Sequence, residues 1–94
     1  MESDSSSPCL LVVDDEPAIC NLLMEMLLAE GCQCESCTSG AQALELLSRE
    51  TFDLVLSDVR MPGMTGLELL ERVHPQVAFV MVTGEDDVRV GNDP

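Results

Sequence analysis

Apolar residues along this chain fall into short runs, each closed by a polar turn. Residues 9–13 read CLLVV and stop at Asp14, Asp15 and Glu16. A continuous apolar run that short fits a strand buried on both faces, the habit of parallel sheets. Pro17 follows, where a helix tolerates its missing N–H, and Ile19, Leu22, Leu23, Met26 and Leu27 then keep the spacing of one helical face. Gly31 is placed to end that helix. The stretch CQCESC, residues 32–37, predicts a second strand. Ser39 to Gln42 has the capping-box pattern and opens a helix with Ala43, Leu44 and Leu47 on one face. Residues 53–57 predict a third strand. After the loop Met-Pro-Gly-Met, Thr65 to Glu68 forms a second capping box, leading a helix that turns Leu67, Leu70 and His74 inward until Pro75 stops it. Residues 77–82, VAFVMV, predict a fourth strand ending at Thr83 and Gly84.

Strand and helix alternate throughout, which implies right-handed crossovers and a parallel sheet with helices on both faces. Ninety-four residues make one small domain, able to bury roughly 60–65% of its unfolded surface. Residues 1–8 are polar and Ser-rich, and are expected to be disordered.

Charge narrows the partners. Eighteen acidic residues stand against four arginines and no lysine, a formal net charge of −14. That balance opposes phosphate backbones and anionic membranes and favours cationic partners and metal ions. The N-terminus lacks the basic and apolar regions of a signal peptide, and no apolar run approaches the ~18–20 residues needed to span a bilayer. A soluble, cytoplasmic protein is expected. Five cysteines are an odd number without an export signal, so reduced thiols fit better than disulfides. Cys32, Cys34 and Cys37 could supply metal thiolates, but a fourth ligand at suitable spacing is missing, and small side chains on one strand face account for Cys32 and Cys34.

The chemistry gathers at the strand ends. In an open parallel sheet, loops and helix N-termini converge at the carboxyl ends of the strands. Three of the four predicted strands end there in oxygen-bearing side chains: Asp14 and Asp15, Asp58, and Thr83. One strand-end Asp commonly does no more than cap the next helix. Three carboxylates crowded together repel one another unless a cation neutralises them. Magnesium, which prefers oxygen ligands and keeps several waters, suits such a group. Thr83 alone could cap a following turn, and His74 reads as structural.

These segments resemble a known family. LLVVDDE at 10–16 followed by Pro17, DLVLSDVRMPGMTG at 53–66, VAFVMVTG at 77–84 and TSGAQALELL at 38–47 are similar to the receiver domain of two-component response regulators, across roughly residues 9–90. The resemblance implies an α/β, flavodoxin-like doubly wound fold. It also implies that Asp58 is the phosphoacceptor, charged from a histidine kinase or phosphotransfer protein. Asp14 and Asp15 would hold Mg²⁺, Asp15 the more directly, assisted by the Asp58 side chain and the Arg60 backbone carbonyl. Thr83 would hydrogen-bond the phosphoryl group. Pro62, Gly63 and Gly66 would shape the loop beside Asp58 and let backbone approach it.

The chain also departs from the family pattern. That pattern calls for a lysine at the end of a fifth strand and then a fifth helix, and this chain has no lysine. The expectation is therefore a receiver domain over residues 9–94, incomplete at its C-terminus, with strand order 2-1-3-4. With no fifth strand, residues 77–82 would form a sheet edge able to self-associate. Other phosphate-handling folds fit less well. No Gly-Lys-Ser/Thr phosphate loop occurs, and Arg60 stands where a haloacid-dehalogenase-like phosphatase would need a second Asp. The remaining alternative is a receiver-like interaction module that is not phosphorylated.

Overall fold

The most apolar strand takes the centre of the sheet. The computed structural model describes residues 7–73 and 75–82, so the expectations for residues 1–6, His74 and Thr83 lie outside the described residues. β1 (Cys9–Val13) pairs in parallel with β2 (Gln33–Cys37) on one side and with β3 (Leu54–Asp58) on the other. β4 (Ala78–Val82) lies parallel beyond β3, giving the order β2-β1-β3-β4. Three helices connect them: α1 (Pro17–Ala29), α2 (Gly40–Arg49) and α3 (Gly66–Arg72). The architecture is the expected flavodoxin-like one.

Register decides which side chains share a face. Leu11 stands opposite Val55, and Val55 opposite Phe79. Neighbours in a parallel ladder point the same way, so these residues and Val13 face one side together. There they meet Ala43 of α2 and Leu69 of α3, with Phe52 and Met61 completing the core. Each fully buried Leu or Val contributes roughly 1.5–3 kcal/mol.

The opposite face carries Leu10, Val12, Leu54, Leu56, Val80 and Val82. α1 packs over β1 and β2. Val80 is 46% exposed and Val82 37%. β4 is the outermost described strand and is covered on one face only.

Two helical faces differ from expectation. In α1, Cys20 is buried while Leu22 and Met26 are more than half exposed. The helix is apolar nearly all round, so spacing alone could not choose which stripe meets the sheet. In α3, Leu69 is fully buried while Leu67 and Leu70 are exposed. Gly66 sits in backbone contact beneath this helix, which turns residue 69, one turn on, toward the core.

The helix ends follow their residues. Cys32 N–H donates to the Leu27 carbonyl and Gly31 N–H to the Leu28 carbonyl, with Gly31 at φ +89°. That is a Schellman ending, and glycine takes the left-handed position without strain. At α2, Ser39 Oγ caps the Gln42 N–H at 3.1 Å, but the Gln42 side chain reaches Thr38 N–H instead of Ser39. At α3, both halves of the Thr65–Glu68 capping box form.

Candidate phosphoacceptor and metal site

Asp14, Asp15 and Asp58 meet at the carboxyl end of the two central strands. The register that sets Val13 opposite Ser57 carries on to place Asp14 beside Asp58. Each of the three carboxylates offers an oxygen, and these oxygens all lie within 4.8 Å of one another. Asp14 is buried; Asp15 and Asp58 are half-buried.

Asp14 is fixed from several directions. Its N–H donates to the Cys37 carbonyl at 3.2 Å, tying the end of β1 to the end of β2. Its Oδ1 accepts the Glu16 N–H at 2.9 Å, an Asx-type turn that starts α1. The Cys20 thiol donates to the Asp14 carbonyl at 3.3 Å. Burial raises the Asp14 carboxyl above the ordinary aspartate range, and the negative charges of Asp58, Asp15 and Glu16 push the same way. The Glu16 hydrogen bond offsets part of this.

Asp58 ends β3, where the chain leaves the sheet. Its Oδ1 accepts the Arg60 N–H at 3.3 Å, which brings Arg60 to the rim of the site. Its carbonyl accepts the hydroxyl of buried Ser57 at 3.0 Å. Gly66 packs against that same carbonyl, and a Cβ there would collide with it. The Gly66 N–H donates to the Val59 carbonyl at 2.9 Å, closing the loop on itself. Gly63 turns that loop at φ +83°, a conformation side chains resist.

The donor set fits a hard divalent cation. Three carboxylates in one small volume, with no cysteine or histidine among them, are oxygen ligands of the kind Mg²⁺ takes. Among the described residues this is the one group of three metal-ligating side chains so placed. The cysteines form no such group: all five thiols are free, and Cys37 is buried in the core on the α2 side.

Sequence reasoning brought Asp14, Asp15 and Asp58 together, and the fold does the same. It did not single out Ser57 or Cys20, whose polar hydrogens hold the backbone of Asp58 and Asp14. A polar residue inside an apolar strand and a thiol on the first turns of α1 were the available signals.

Comparison with known proteins decides the family. The model of the response regulator receiver domain matches residues 10–93. The chain belongs to the response regulator receiver domain family. Among receiver-containing relatives, it is 40% identical over 80 residues to the DNA-binding transcriptional regulator NtrC of Escherichia coli, covering 82% of this chain and 17% of that protein. It is 44% identical over 72 residues to the sensor histidine kinase RcsC of the same species, covering 77% of this chain and 8% of that one. The chain thus spans under a fifth of the length of these relatives. A response regulator receiver protein from Pseudomonas putida superposes with a TM-score of 0.79 at 26% identity, covering 94% of this chain and 77% of the other. The chemotaxis response regulator CheY4 of Vibrio cholerae gives 0.77 at 28%, covering 93% of this chain and 79% of the other. As a receiver domain, the chain is a signalling domain of two-component systems, and phosphorylation on Asp is typical of its family. No described helix is long and apolar enough to cross a membrane.

Proposed function

We propose that Asp58 accepts a phosphoryl group from a phosphohistidine of a histidine kinase or phosphotransfer protein. The observation that carries this reading is the meeting of Asp14, Asp15 and Asp58 within 4.8 Å at the strand ends. An Asp58 carboxylate oxygen attacks phosphorus in line, the O–P bond forms, and the P–N bond to the donor imidazole breaks. The imidazole leaves with the bonding electron pair. Phosphoryl transfer asks a protein mainly for positioning and charge neutralisation. Asp14, Asp15, the Asp58 side chain and the Arg60 carbonyl would hold Mg²⁺. When bound, the ion supplies neutralisation of charge on the equatorial phosphoryl oxygens. Ser57 and Gly66 fix the Asp58 backbone, and the Arg60 N–H orients its carboxylate. Thr83 donates a hydrogen bond to the phosphoryl group in this reading. The domain assists both its own phosphorylation from small donors and the later hydrolysis of the aspartyl phosphate.

The same proposal places the domain in the cytoplasm, with no direct role for nucleic acid or membrane. It includes self-association through β4, supported by the exposed Val80 and Val82 on the outermost described strand. Light scattering across a concentration series tests that part, and a monomer at every concentration would remove it.

Acetyl phosphate with Mg²⁺, followed by intact-protein mass spectrometry, tests the main reading. One phosphoryl adduct is expected on the parent and none on Asp58→Asn. Undiminished labelling of that variant would sink the assignment. A parent that takes up no phosphoryl group under these conditions would favour the unphosphorylated interaction module instead.

A further inference from the structure

The loop that follows Asp58 is braced at its far end and in its middle, and the two braces differ in kind. At the far end Gly66 lies on the Asp58 carbonyl. In the middle, Met64 lies on Gly40, the first residue of α2. A Cβ placed on Gly40 would stand 2.7 Å from Met64 Sδ, 3.0 Å from Met64 Cβ and 3.1 Å from its Cγ. A thioether can swing away by changing rotamer. A Cβ cannot, because it is attached to the loop backbone. Relieving that contact requires residues 62–65 to move.

Those residues are continuous with the site. Met64 N–H donates to the Pro62 carbonyl at 3.0 Å, and Gly66 N–H to the Val59 carbonyl at 2.9 Å. Arg60 N–H in turn holds Asp58 Oδ1. Gly40 is fixed from its own side, since Ser39 immediately before it caps α2. We infer that the Gly40–Met64 contact is a positioning brace: the start of α2 sets the height of the loop and so the placement of Arg60 against Asp58. Both are positioning residues, since neither reaches the carboxylates. The metal arm of the test rests on the phosphoacceptor reading above; the amide arm does not.

Three variants decide it: Gly40→Ala, Met64→Gly and the two combined. Gly40→Ala pushes the loop outward, and Met64→Gly, which removes the Cβ as well as the thioether, leaves it without a stop. The pair together moves the one Cβ from the loop side of the contact to the α2 side. Metal-free amide exchange at Arg60 should therefore quicken by about tenfold in each single variant and return to within about twofold of the parent in the double, the signature of coupled neighbours. Mg²⁺ affinity should fall and recover in the same pattern. If Gly40 mattered to α2 alone and not to the loop, Gly40→Ala would leave Arg60 exchange unchanged and melt no lower, because Ala is the better helix former. Unchanged Arg60 exchange in both single variants overturns the brace, and so does a double variant as impaired as the worse single. If Gly40→Ala does not fold, Met64→Gly with parental Arg60 exchange overturns it alone. A parent that binds no Mg²⁺ counts against the phosphoacceptor reading, while the amide exchange still decides the brace.

Discussion

Gly66 and Asp58 touch backbone to backbone: the glycine Cα lies on the carbonyl of the residue that ends β3. No rotamer change can make room there, because the obstacle is main chain. Gly66→Ala is therefore expected to cost about 1–3 kcal/mol, the usual cost of overpacking. Urea denaturation measures it. Stability equal to the parent's would mean that α3 can slide away from the sheet without loss.

The buried Asp14 carboxyl gives the metal-free protein an unusual pH response. Its folded-state pKa lies above its unfolded value, so protonation favours the folded state. The contribution is unfavourable at neutral pH and is relieved as pH falls through the raised value. Asp14→Asn keeps an oxygen for the Glu16 N–H and removes the charge. In chelator at pH 7 it should melt higher than the parent, and the gap should narrow as pH is lowered. A gap that stays constant with pH would contradict this account.

Asp15→Asn addresses the ion. Thermal melts with and without Mg²⁺ should show stabilisation of the parent by the ligand and a much smaller response in the variant. Without metal the variant should equal or exceed the parent, since like charges at the site fall from three to two. Equal responses to the ion in both proteins would remove Asp15 from the site.

Thiol chemistry reports on the core. Burial pushes the Cys37 thiol up to about 11, and burial likewise raises Cys20. Alkylation needs the thiolate and access to it. In the native protein Cys37 should react on the order of a hundredfold more slowly than a free cysteine. Peptide mapping should show Cys20 and Cys37 spared in buffer and modified in urea. Rapid native labelling of Cys37 would show that the α2 side of the sheet opens readily.

Much of this was legible in the residues themselves. CLLVV could only be an inner strand, and runs ending in Asp14 and Asp58 could meet only if those strands were neighbours. The helices were harder. Leu67, Leu69 and Leu70 offer competing stripes within the seven residues of α3, and the choice among them comes from Gly66 seated on Asp58, a tertiary contact. Likewise α1 presents Leu22, Met26 and Leu28 as readily as its buried side. Strand order follows from local pattern, whereas helix rotation is set by what lies beneath. The loop glycines divide along the same line. Gly63 is a turn residue that the Met-Pro-Gly-Met stretch announces, while Gly40 is needed for a neighbour 24 positions away.

The strand order also fixes a timetable for synthesis. β1 leaves the ribosome first, yet its second neighbour is β3, so the central strand stays half-paired until residue 58 has emerged. Asp14 and Asp15 are made early and wait, without their third member, through more than forty residues of translation. Once β3 has docked beside β1, the trio can close before β4 has been made. A nascent chain paused after α3 would already hold all three carboxylates, and an ion captured at that moment would fasten β1 to β3 before the sheet is finished.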